Sequence, residues 1–232
     1  PNDKSTFECI ITVDTPFVAI SNGALMEVKR SEGKRTFHWS ESAPTVSYLI
    51  SFVVGDYREV KDHSSSVPVS YWVYPEHDRD DAMRSFGLTP EMLTVFNEYI
   101  GFSYPYEKYD QIIIEDFMWG GMENITLSHM SDRTMHTESA QPNHSSEWLV
   151  AHELAHQWFG DLITTRNWAN IWLNEGITSF MELIWAEHKY GLSEKEYYRY
   201  QEVRGVKYAD SDKKPMVFFH YEDSNDLFDS NV

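Results

Sequence analysis

The chain has 232 residues and a formal net charge of −18, from 37 acidic and 19 basic side chains. Hydrophobic residues make up 41% and aromatics 15%, enough for an ordinary core in one large or two small domains. The acidity argues against nucleic-acid binding, which needs a basic surface; no run of about 18 apolar residues marks a membrane span; and the single Cys9 excludes an internal disulfide and a Cys-based metal site.

Residues 7–60 read as β. Residues 7–13 are a β-branched run, Asn22-Gly23 is a hairpin-type turn signal, and Glu32-Gly33-Lys34 is a second turn. Residues 36–39 and 47–54 are further strands, the last closed by Gly55-Asp56. Residues 61–66 are polar and serine-rich and read as a linker, which divides the chain into 1–65 and 66–232. Residues 69–74 then alternate like a strand. Thr89-Pro90-Glu91 combines an N-cap with Pro at the first helical position, predicting a helix to about Ile100. Ile112-Ile113-Ile114 is a short buried strand, broken by Gly120-Gly121, with another strand over 122–128. After residue 145 the pattern is mostly helical: 146–159, then 170–190 ended by Gly191, then a helix opened by Ser193 and Glu196 and running to about Tyr208. The fold class is therefore α+β.

His152-Glu153-Leu154-Ala155-His156 is an H-E-x-x-H motif inside the first of these long helices. Histidines at i and i+4 share a face about 6 Å apart along the axis, so both imidazoles can reach one metal at about 2.0–2.1 Å. Glu153 turns toward the same cleft without ligating, the position of a base acting on water. The motif alone is only moderately specific. Glu175, 18 residues after His156 and early in the next helix, supplies a third ligand. Two His and one Glu leave a fourth position open, as a catalytic zinc requires and a structural zinc does not. One Zn2+ per chain and amide hydrolysis are the expected cofactor and chemistry.

These residues resemble the gluzincin zinc aminopeptidases, the aminopeptidase N and leukotriene hydrolase type. The resemblance rests on the segment from His152 to Asp161, on Trp172-Leu173-Asn174-Glu175-Gly176, and on Gly120-Gly121-Met122-Glu123-Asn124, which is similar to the family's G-x-M-E-N motif. It implies the end of an N-terminal all-β domain over 1–65 and a thermolysin-like catalytic domain over 66–232. It also implies that Glu123 holds the free α-amino group of a peptide substrate, and that Gly120, Gly121 and Met122 align the peptide as an added strand. Trp119 is a candidate wall for the first side chain.

The family's transition-state tyrosine lies in an F-D-x-x-x-Y pattern, and here Phe228-Asp229-Ser230-Asn231-Val232 stops one residue short of it. The family's second amine-binding carboxylate would lie upstream of Pro1, as would any targeting segment, and its C-terminal helical domain would follow Val232. The chain therefore reads as an internal fragment of a longer enzyme, cytoplasmic or exported, which by itself would be poorly active or inactive. Rival readings of the parent are an epoxide hydrolase of the leukotriene-hydrolase kind and a non-catalytic scaffold. Asp161 and Glu182 are both candidates to orient a ligand histidine.

Overall fold

The computed structural model describes Pro1 and residues 3–141, 143–209 and 215–227. The first β-branched run becomes β1 (Lys4–Asp14), which pairs antiparallel with β4 (Lys34–Val46); β4 in turn pairs with β3 (Ala24–Ser31). The β3–β4 turn is the predicted one. Glu32 and Gly33 take φ of 48° and 77°, the positive pair that a tight hairpin needs.

Asn22-Gly23 is not a hairpin turn. β2 (Val18–Ser21) pairs with β5 (Phe52–Gly55) in a separate two-stranded sheet, so the chain changes sheets at Asn22. Gly23 does supply the expected conformation, with φ of 74°, and a Cβ there would lie 2.1 Å from the Ser40 carbonyl oxygen. Turn chemistry fixes the local backbone, but the choice of strand partner is made by packing elsewhere. Residues 47–49 form a single 3-10 turn rather than extending a strand.

Residues 61–66 are not a free linker either. β6 (Arg58–Asp62) and β7 (Val69–Val73) form an antiparallel hairpin that straddles Ser65. Both strands belong to a five-stranded sheet ordered β6-β7-β8-β10-β9, with β8 (Tyr109–Ile114), β9 (Gly121–Met122) and β10 (Leu127–Ser131). β7, β8 and β10 run parallel, which requires crossover connections. Helices α1 (Arg79–Phe86) and α2 (Thr89–Ile100) make the first of them. α1 escaped the sequence reading because its capping box uses aspartate at both ends: Asp78 and Asp81 each accept the other's backbone N–H. β9 is antiparallel to β10 and lies at the sheet's edge.

Three further helices follow: α3 (Glu147–Ala155), α4 (Trp172–Tyr190) and α5 (Leu192–Ala209). The chain is thus sheet-rich first and helical later, as predicted. α3 is wedged between α2, α4 and β9. Its Leu154 and the following Trp158 are buried with Tyr71, Phe86, Phe96, Ile113 and Trp185 in one apolar cluster. That packing leaves the helix no freedom to roll, so the face bearing His152 and His156 has a fixed direction. No helix among the described residues is long and apolar enough to cross a membrane. Residues 228–232, where the sequence pattern stops short of a tyrosine, lie outside the described residues.

Candidate active site

His152 and His156 stand one turn apart at the end of α3, with ring centroids 4.7 Å apart and planes at 80°. The helix tightens just there: Gln157 N donates to the Leu154 carbonyl and Trp158 N to that of Ala155, both i→i−3 bonds. Gly160, with φ of 134°, then turns the chain back. A Cβ at this position would lie 3.3 Å from His156 Nδ1 and 3.4 Å from Asn174 Nδ2, so the turn is closed against the ligand itself. It sets the Phe159 carbonyl 3.0 Å from His156 Nδ1.

α4 brings Glu175 from its first turn. Its Oε2 lies 3.3 Å from His152 Nε2 and 3.5 Å from His156 Nε2, and the two Nε2 atoms are 3.1 Å apart. Two turns further along α4, Glu182 Oε1 is 2.8 Å from His152 Nδ1. The tautomers follow. His152 Nδ1 faces the Glu182 carboxylate and His156 Nδ1 the Phe159 carbonyl, oxygens that only accept, so in the neutral rings the Nδ1 carries the proton and the Nε2 lone pair is left for a metal. Both lone pairs and the Glu175 carboxylate therefore converge on one point. Donor atoms ~2.0–2.1 Å from a tetrahedral zinc stand about 3.3 Å from one another, and the observed separations bracket that value. The residues present fit zinc.

Of the two carboxylates weighed as histidine partners, Glu182 makes the contact. Asp161 is fully buried and touches His156 only through its backbone, Asp161 N donating to the His156 carbonyl at 3.0 Å. Burial, then the nearby Glu123, hold its carboxyl well above the usual range.

The electrostatics ask for a cation. Burial works against charge on His152, yet hydrogen bonds from its ring to Glu175 and Glu182 hold its pKa well above the ordinary value. Burial opposes charge on His156 too, and Glu123 and Glu175 push it up to about 9. Glu175, despite burial, is held well below the carboxylate range by the two imidazoles. Protons on the histidines answer this field in the metal-free protein, and a divalent cation would displace them. Glu153 differs: burial outweighs both histidines and pushes it up to about 7. A carboxyl near neutrality can both take and return a proton.

Glu123 is buried, 7% exposed, and its carboxylate, that of Glu153 and the His156 ring offer atoms all within 4.8 Å of one another. Gly121 lies against Glu153, with an added Cβ only 2.1 Å from its Oε1. A cavity of about 610 Å³ opens over these groups. The nine residues read from the sequence as metal, base or substrate candidates all line it: Trp119, Gly120, Gly121, Met122, Glu123, His152, Glu153, His156 and Glu175. The structure adds Tyr48, Trp148, Leu149, Trp168 and Ile171, which make the walls largely apolar. Tyr48 reaches in from the first part of the chain, edge-on to Trp168 at 4.9 Å and accepting a hydrogen bond from Asn174 Nδ2 at 3.3 Å. These wall residues come from three separate stretches, around 48, 148–149 and 168–171. Trp148 and Leu149 alone had a signal, lying four and three residues before His152 on the same helix.

The model of the peptidase family M1 domain matches residues 84–232. Aminopeptidase M1 of Arabidopsis thaliana is 34% identical over 189 residues, 79% of this chain and 21% of the relative. Glutamyl aminopeptidase of Homo sapiens is 34% identical over 194 residues, 81% of this chain and 20% of the relative. The chain thus spans about a fifth of the length of these relatives. Among solved structures, a mutant M1 zinc metallopeptidase of Deinococcus radiodurans bound to a Tyr-Ser-Ala substrate superposes with a TM-score of 0.82 at 23% identity, over 99% of this chain and 50% of that one. The fold is shared across the whole chain and the family model spans well over half of it: the chain belongs to peptidase family M1.

Proposed function

We propose that this chain carries the active site of a zinc aminopeptidase, which removes residues from the free amino end of peptides. The observation that carries the reading is the convergence of the two Nε2 atoms and the Glu175 carboxylate, with a further carboxylate, Glu123, beside Glu153. His152, His156 and Glu175 would hold Zn2+. When bound, zinc supplies Lewis acidity, polarising a carbonyl and acidifying water. Glu153 takes a proton from the attacking water and returns it to the nitrogen of the leaving peptide, so the base ends as it began. Glu123 pairs with the substrate ammonium. The ammonium nitrogen and the first carbonyl carbon of a peptide are two bonds apart, about 2.5 Å. An anchor within 4.8 Å of the base therefore admits one residue between amine and cleavage point. β9 is an edge strand, and its backbone at Gly120, Gly121 and Met122 is suited to take the substrate as an added strand. Trp119 and Met122 offer apolar surface to its side chains. The names of the relatives point the same way.

The test uses the full-length protein. Zinc per chain is quantified, and hydrolysis of aminoacyl-anilides is compared with that of the same compounds acetylated on the amine, before and after chelation. The reading expects about one zinc per chain, chelator-sensitive cleavage and no cleavage of the acetylated compounds. Zinc without cleavage, or cleavage indifferent to chelator, defeats it.

A further inference from the structure

Glu123 sits on a short irregular segment between β9 and β10, so something other than a sheet ladder must hold its carboxylate at a fixed place. Two sets of bonds do so. From the first part of the chain, Asn22 Nδ2 donates to the Ile125 carbonyl at 2.6 Å, and Gly23 N donates to Thr126 Oγ1 at 2.7 Å. From the metal side a single side chain acts. Gln157 Nε2 donates to the Glu123 carbonyl at 3.1 Å, and Gln157 Oε1 accepts from Thr126 N at 2.9 Å and from Tyr104 OH at 3.3 Å. Gln157 is fully buried and directly follows His156. Thr126 holds a φ of 61°, a conformation a β-branched residue keeps only when its surroundings impose it.

One amide group thus spans the gap between the residue after His156 and two peptide units that follow Glu123 in the chain. It grips both the carbonyl of Glu123 and the N–H three residues on, which fixes the segment's position and its direction. We infer that Gln157 is a positioning residue that sets the distance from the metal ligands to the amine anchor, and so the recognition of a free amino terminus. The inference rests on the role given to Glu123 above.

Leucine hydroxamate and its des-amino analogue test it on the full-length enzyme. Both present the same metal-binding group, and only the first presents an amine, so the ratio of their inhibition constants reads the anchor alone. Gln157→Met removes all three bonds at similar size. Gln157→Glu keeps the acceptor for Thr126 N but sets a carboxylate against the Glu123 carbonyl. The ratio is expected to fall about tenfold in each variant, the usual weight of a lost hydrogen bond, with the des-amino constant and the zinc content within about twofold of wild type. Should Gln157→Met not fold, Gln157→Glu decides. An unchanged ratio overturns the inference, as does a parallel weakening of both inhibitors, which marks a merely structural side chain. A wild-type enzyme that ignores the amine defeats the aminopeptidase reading instead, and this inference with it.

Discussion

A methyl group at Gly121 has nowhere to go except into the base. It would lie 2.1 Å from Glu153 Oε1, 2.4 Å from Cδ and 2.6 Å from Cγ. Ordinary contact is about 3.5–4.0 Å, so the whole carboxylate must retreat by more than ~1 Å. The backbone of Glu153 cannot follow, because Ala151, Leu154 and Ala155 are fully buried on the inner face of α3. The retreat therefore falls on the side-chain torsions of the base. A general base contributes about 10²–10⁴ in rate, and a displacement of about 1 Å can remove about 10² of it. Gly121→Ala is expected to lower kcat on an aminoacyl-anilide about 100-fold in the full-length enzyme. Zinc content should hold, since none of the nearest atoms belongs to His152, His156 or Glu175. Gly205→Ala is the matched control: nothing lies within 4 Å of a Cβ there, and α5 should gain about 0.5–1 kcal/mol of stability with no change in rate. A folded, zinc-loaded Gly121→Ala enzyme with wild-type kcat would refute the reasoning about the base.

Three further outcomes are expected. Glu123→Ala should lower kcat/KM for free-amine substrates by ~30-fold to a few thousandfold, the ~2–5 kcal/mol usual for truncating one partner of a buried charge pair; equal losses on acetylated substrates would contradict the anchor role. Glu182→Ala should weaken zinc binding about 10- to 100-fold, because His152 loses the group that fixes its tautomer, and competition with a chelator of known affinity reads this directly. Burial holds His129 down to about 4 against an ordinary value of 6.5. The fold therefore prefers the neutral ring, and stability is full above pH ~6.5 and lost as pH falls toward ~4, where the unfolded chain binds the extra proton. The gap is worth ~3 kcal/mol, so urea melts of chelated wild type and His129→Leu, between pH 7 and 4, should show a steeper decline in wild type.

The grouping of His152, His156 and Glu175 was legible because helical spacing is a rigid rule. His152 and His156 share a face wherever α3 lies, and Glu175 needs only a second helix crossing the first. The place of Glu123 in the cavity was legible only through family likeness, since Gly-Gly by itself reads as a turn and Glu123 as a surface carboxylate. What the sequence hid was long-range choice. Asn22-Gly23 displays hairpin chemistry, yet its side-chain bond reaches Ile125, 103 residues away. Residues 61–66 have linker composition, but they join two strands of the sheet that holds the anchor. The two misreadings share a cause. Polar stretches are read as local punctuation, whereas Asn22-Gly23 ties the first part of the chain to the segment bearing Glu123 and residues 61–66 close a hairpin inside the larger sheet.

Those ties also explain why the site draws on both parts of the chain rather than on the zinc motif alone. Tyr48 enters the cavity from the end of the β-rich part, and Leu49, next to it, accepts from Asn124 Nδ2 at 3.2 Å through its carbonyl. The segment bearing Glu123 is therefore gripped from one side by Asn22, Gly23 and Leu49 and from the other by Gln157. A helix pair could hold a metal without the β-rich part. Placing the Glu123 carboxylate beside Glu153 draws on both, because the segment that bears it is held by Gln157, just past α3, and by Asn22, Gly23 and Leu49 of the β-rich part.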